Sequence, residues 1–161
     1  MKTIVTTAVI HQRHRQAVIH RVNKCLKNLG YHMARGYKVN IMAPLLLEMQ
    51  RAGVGLLLGS DAPQIFNVPG FSLHRELELM VAAGLTPFEA LQAGTTNVAK
   101  FLGLKTGVIA TGYEADLVML DSDPLEDISS TRRVHGVMVR GTWYSGADIE
   151  ALLSRFRIGD G

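Results

Sequence analysis

The texture of the chain changes near residue 104, and that change limits the architectures open to it. Upstream, apolar residues recur at helical spacing in stretches separated by glycine. Downstream, short runs rich in Val, Leu and Met alternate with Gly-containing turns. A strand–helix alternation that gives way to short strands predicts an α/β unit over 1–103, followed by a small β unit with a terminal helix over 104–161.

The β-branched run Thr3–Ile10 reads as a strand, and His11–Leu29 reads as a helix with Ala17, Val18, Val22, Leu26 and Leu29 along one stripe. Ile41–Arg51 is a second helix, with Leu45, Leu46 and Met49 on one side and Pro44 in its first turn. Val54–Leu58 is apolar enough for a buried strand, and a loop through Pro69-Gly70 follows it. Ser72 opens a helix whose apolar face is Leu73, Leu77, Met80 and Val81, ended at Gly84. Thr86-Pro87-Phe88-Glu89 combines an N-cap, a proline at the first helical position and a glutamate spaced to close a capping box. That helix runs to about Ala93, and Thr95 or Thr96 caps the next, Asn97–Leu102. Beyond 104, the segments Gly107–Ile109, Asp116–Asp121, Val134–Arg140 and Thr142–Tyr144 read as strands. Ala147–Arg155 reads as a helix, with Ile149, Leu152, Leu153 and Phe156 turned inward.

Charge and cysteine content narrow the functional classes. The net charge of +3 hides an asymmetry: residues 1–47 carry eight Lys/Arg and no acid, whereas the remainder carries nine Lys/Arg against fourteen acids. A basic stretch of that kind could meet nucleic acid, but there is no interleaved aromatic pattern and no Gly-rich phosphate cradle, so a solvated helix face is the plainer reading. No run of 18 apolar residues is present, and no secretory leader pattern is seen. Cys25 is the only cysteine, which rules out an internal disulfide and a paired-cysteine zinc site and fits a reducing, cytoplasmic setting.

The stretch Leu56-Leu57-Leu58-Gly59-Ser60-Asp61-Ala62-Pro63 carries the chemistry. A buried apolar run stops at a turn of small residues that bears one carboxylate. In a parallel α/β barrel such a carboxylate faces the mouth where reactions occur. Alternatively, Asp61 caps the turn or the following helix.

Taken together, the motifs resemble the metal-dependent amidohydrolase superfamily, in its imidazolonepropionase-like and prolidase-like branch, over its C-terminal portion. The resemblance runs through Gly59-Ser60-Asp61-Ala62, His74-Arg75-Glu76-Leu77, Ala83-Gly84-Leu85-Thr86-Pro87, Thr95-Thr96-Asn97-Val98-Ala99, Gly107-Val108-Ile109, Ala115-Asp116-Leu117-Val118 and Asp121-Ser122-Asp123-Pro124. It implies an α/β fold: the last two strand–helix units of a TIM-like (β/α)8 barrel, with Thr3–Ile10 as strand seven and Val54–Leu58 as strand eight, plus a C-terminal share of a small β-sandwich. It implies hydrolysis of an amide, peptide or cyclic amide C–N bond, with a divalent metal, zinc in the first instance, and with Asp61 as general base and metal ligand. Metal lowers the pKa of a bound water and polarises the scissile carbonyl, and a nearby carboxylate can then take and return the proton.

His74 and Ser60 are the substrate-contact candidates, with Gln64 and Asn67 as further rim groups; His74 could equally be a packing histidine. Asp116 and Asp121 read as turn or edge residues, and Thr96 and Asn97 as capping and packing residues. His11, His14, His20 and His32 do not form the His-x-His pair of the superfamily and take no ligand role. Three protein ligands are usual for a catalytic zinc. The expectations are therefore twofold: part of a hydrolase acting on a small amide or peptide substrate, or an inactive fragment or interaction module that completes its barrel with another chain or a second copy. Neither a membrane nor a nucleic-acid partner is expected.

Overall fold

The computed structural model describes residues 3–6, 42–63 and 68–155. The chain forms β1 (Thr3–Thr6), α1 (Met42–Arg51), α2 (Phe71–Ala82), α3 (Pro87–Gly94), α4 (Thr96–Leu102), β2 (Leu117–Leu120), a 3-10 turn (Ile128–Arg132), β3 (Val134–Val139), β4 (Thr142–Ser145) and α5 (Gly146–Ser154). The helix expected over His11–Leu29, the rim residues Gln64 and Asn67, and Phe156 lie outside the described residues.

Helix starts are local chemistry. At α3, Thr86 accepts from the Glu89 amide at 3.2 Å while a Glu89 carboxylate oxygen accepts from the Thr86 amide at 2.8 Å, the expected capping box. Ser145 and Asp148 repeat the device at α5. Helix α2 begins at Phe71, one residue before Ser72, with Gly70 at its N-cap and no side-chain cap. Thr95 precedes α4 without capping it, because its hydroxyl donates to the carbonyl of Leu91 at 2.8 Å.

The core gathers Leu45 and Met49 of α1, Leu56 and Leu58, Leu77 and Met80 of α2, Leu85, Ala90 and Ala93 of α3, and Ile128 from the 3-10 turn. Fully buried alanines on α3 let the extended 54–58 segment lie close to that helix. Leu73, expected on the buried face of α2, is 37% exposed, since the stripe that meets the core is Leu77 and Met80. The terminal helix α5 likewise buries no residue; Leu152 and Leu153 face solvent where an inward face was expected.

Among the described residues the strands form one antiparallel sheet in the order β1-β2-β3-β4. Val139 pairs with Thr142, so Arg140-Gly141 is a two-residue hairpin; φ of +48° and +81° there gives the mirror-image turn whose twist matches the strands. One face presents the apolar cross-strand cluster Leu117, Met119, Met138 and Trp143, with the indole lying over Gly136.

Three strand expectations change. Thr3–Thr6 pairs antiparallel with Leu117–Leu120, and so forms an edge of this sheet instead of a parallel barrel strand beside 54–58. β-branched composition favours extended backbone but does not choose its partner. Residues 54–58 are buried in part yet make no strand ladder with the described residues, where their backbone bonds go to helices. Gly107–Ile109 is not a strand either: Gly107 has φ +81° and Ile109 is 67% exposed.

Candidate active-site turn

The segment that leads to Asp61 is held at successive backbone groups. The Val54 amide donates to the Met49 carbonyl at the end of α1, at 3.0 Å. The Leu56 carbonyl accepts from Asn97 Nδ2 at 3.0 Å, and the Leu58 amide donates to the Ala93 carbonyl at 3.0 Å. The Gly59 amide then donates to Glu76 Oε1 at 3.2 Å. A strand in a sheet would take these bonds from neighbouring strands; here helices α1, α2, α3 and α4 supply them.

Beyond Gly59 the chain turns sharply. Ser60 is half-buried and Asp61 is exposed. Asp61 adopts φ +58°, in the left-handed region, and the next peptide bond, Ala62-Pro63, is cis. Asp is among the side chains that tolerate this region best. Non-glycine residues held there are concentrated at functional turns, where the surrounding structure fixes them.

His74 is half-buried on α2, and its Nδ1 lies 3.0 Å from Thr131 Oγ1. That hydroxyl already donates to the Ile128 carbonyl at 2.9 Å, so the ring must donate through Nδ1–H and Nε2 is left as an acceptor. Burial first, and the Arg132 guanidinium second, hold His74 below its ordinary pKa, while Glu78 opposes them. Glu78 also bonds Arg132 Nε at 2.8 Å and Arg75 at 3.4 Å, which keeps its carboxyl below the usual range. These contacts tie α2 to the 3-10 turn. Ser60 and Asp61 thus share one turn, whereas the Nδ1 bond of His74 goes to another element.

Glu76 was not singled out from the sequence as a site residue. Burial pushes its carboxyl above the ordinary glutamate range, against the opposing pull of the Gly59 amide. Its Oε2 is buried and has no hydrogen-bond partner among the described residues. The sequence does hold a signal for it, an acid set among Leu73, Leu77 and Met80 on a helix meant to be apolar on that side.

The secondary candidates fall into structural roles. Asp116 Oδ1 accepts from the Arg140 amide at 2.6 Å and closes the β3–β4 turn, and Asp121 Oδ1 lies 3.1 Å from His135 Nδ1. Asn97 packs against the approach segment, as its bond to Leu56 shows. Among the described residues there is no group of three or more His, Cys, Asp or Glu side chains that could hold a metal ion, and no helix long and apolar enough to cross a membrane. A complete metal centre does not fit these residues.

Comparison with known proteins gives the turn its family. The ochratoxinase of Aspergillus niger is 40% identical over 82 residues, covering 48% of this chain and 16% of the relative. The imidazolonepropionase of Deinococcus deserti is 37% identical over 100 residues, covering 61% of this chain and 24% of the relative. In structure, a Xaa-Pro dipeptidase with bound methionine in its active site superposes with a TM-score of 0.57 at 31% identity, over 65% of this chain and 25% of that one. The chain therefore spans a quarter or less of the length of each of these relatives. The profile of the amidohydrolase family matches residues 6–144, and by that match the chain belongs to this family.

Proposed function

We propose that this chain is the part of an amidohydrolase that supplies the general base for hydrolysis of a C–N bond in a small amide, peptide or cyclic amide. The observation that supports the reading is Asp61 itself: a carboxylate in left-handed conformation at the end of a segment clamped by four helices, within the family match. In this reading 54–58 is the last barrel segment, residues up to 103 other than Thr3–Thr6 are the barrel share, and 104–161, with Thr3–Thr6 paired to it, is the β-sandwich share.

Asp61 takes a proton from the attacking water and returns it to the leaving nitrogen, and its carboxylate serves as one ligand to a divalent metal, zinc in the first instance. The metal, when bound, lowers the pKa of water and polarises the carbonyl. No other ligand is assigned to the described residues. Ser60 and His74 are the proposed substrate contacts. With Nδ1–H committed to Thr131, His74 would offer Nε2 as an acceptor to a substrate N–H or hydroxyl.

The test is Asp61→Asn in an amidohydrolase barrel that contains this segment. Asparagine tolerates the left-handed backbone as aspartate does, so the substitution removes the charge and leaves the turn. Loss of proton transfer is expected to lower kcat by ~10²–10⁴ with little change in melting. Turnover retained in the variant rules the assignment out.

A second reading is favoured by one observation. Phe71, Phe88 and Ile109 are 70%, 57% and 67% exposed, which fits a fragment or interaction module that covers these residues with a complementing chain or a second copy. Zinc uptake separates the two: a lone Asp61 binds zinc weakly in this chain by itself, and a complementing barrel restores tight binding.

A further inference from the structure

Glu76 touches the backbone of the Asp61 turn and has no part in the proposed chemistry. Its place on α2 is costly for an acid. Leu77 and Met80 beside it are buried, and Oε2 is shielded from solvent without a partner among the described residues. A buried carboxylate disfavours its own charged form, and a leucine or methionine there would extend the apolar face at no such cost. The carboxyl supplies one thing an apolar side chain cannot, an acceptor for the Gly59 amide at 3.2 Å. Gly59 is two residues before Asp61, and it follows Leu58, the last residue whose amide is bonded to α3.

We propose that Glu76 is the positioning residue for Asp61: a helix-mounted carboxyl that fixes the Gly59 amide and so sets the path on which Ser60 and Asp61 leave the core. The inference rests on the reading of Asp61 as the reactive carboxylate. Mounting the acceptor on a helix holds the turn more closely than a loop residue could. The bond joins one side chain to one backbone amide, so its loss would redirect the turn without unfolding the helices that carry it.

The experiment is NMR of the isotope-labelled full chain, reading the Gly59 amide and the Asp61 Cα and Cβ shifts. Glu76→Gln keeps an acceptor oxygen, and Glu76→Leu removes it at similar size. Gln is expected to leave the Asp61 shifts as in the unsubstituted chain. Leu is expected to move them and to speed Gly59 amide exchange by about tenfold, the loss of one hydrogen bond. The amides of Ala90 and Ala93 in α3 stay protected in both. Asp61 shifts unchanged in Glu76→Leu, or Glu76→Gln behaving as Glu76→Leu, would overturn the proposal. Should Glu76→Leu fail to fold, pH supplies the perturbation. In an Asp61→Asn background the Gly59 amide and the Cα shift at position 61 are expected to move together as Glu76 titrates, and a flat Gly59 amide overturns the proposal equally. None of these readouts involves turnover. A failed base assignment therefore shows only in the Asp61→Asn kinetics, and a failed positioning role shows only here.

Discussion

Gly107→Ala probes how closely the start of the β unit is fitted to the helices that hold the Asp61 segment. Gly107 is buried with φ +81°, and a Cβ built on it meets the Thr95 carbonyl carbon and oxygen at 2.8 Å and the Thr96 amide nitrogen at 3.1 Å. Those atoms are backbone at the junction of α3 and α4, so no side-chain rotation relieves the contact. Left-handed backbone costs an alanine roughly 1–2 kcal/mol, and overpacking costs roughly 1–3 kcal/mol more. Gly112 is the natural control: its φ is +82°, and nothing lies within 4 Å of a Cβ placed there. Gly112→Ala should therefore show the conformational cost alone. The entropy that alanine removes from the unfolded chain is common to both variants and cancels in the comparison. Urea unfolding followed by circular dichroism should place Gly107→Ala about 1–3 kcal/mol below Gly112→Ala at equal m-value. Two variants within about 0.5 kcal/mol of each other would refute the packing argument.

Asn97→Ala leaves the Leu56 carbonyl without its donor and should cost about 1–3 kcal/mol, with faster exchange at the Leu58 amide; an unchanged melt would mean the bond carries no weight. Thr86→Ala opens the α3 capping box and should lower stability by about 1 kcal/mol, checked by the shift in denaturation midpoint. His74, held below its ordinary value of 6.5 mainly by burial, stays neutral in the fold while the unfolded chain takes up a proton. Its contribution is thus present above that pH and is lost as pH falls below it. His74→Asn should flatten the fall in stability as pH drops below about 6.5, and equal slopes in both proteins would contradict this.

What was legible in the sequence is what is decided locally. Thr86 and Glu89 specify their own capping box, Pro44 sits where a first turn accepts it, β2 and β3 lie within the runs read as strands, and β4 exceeds its run by one residue. What was not legible depends on partners far along the chain. Nothing in Thr3–Thr6 says that it will lie antiparallel to Leu117–Leu120, and nothing in 54–58 says that helix carbonyls and an asparagine will replace a strand ladder. Gly107–Ile109 has strand composition, but one positive φ breaks it. The apolar stripe of α5 is present, yet packing against β3 and β4 buries none of its residues fully. For the candidate site, Asp61 can be proposed from the sequence because a carboxylate ending an apolar run stands out, but its left-handed backbone cannot be read there. Glu76 was not legible, because an acid on a helix is ordinary until its carboxyl is seen under Gly59.

The clamp around the Asp61 segment also fixes an order of events during synthesis. Glu76 follows Gly59 by 17 positions, and Asn97 follows Leu56 by 41. Every one of the anchors on α2, α3 and α4 is translated after the turn it secures. The turn leaves the ribosome with only the Val54 bond to α1 available to its segment, and the remaining anchors are complete only once α4 has emerged. A pause or truncation before Asn97 would therefore release a chain that contains Asp61 but not its geometry. The longest of these contacts spans 41 positions, so closure needs no segment beyond α4.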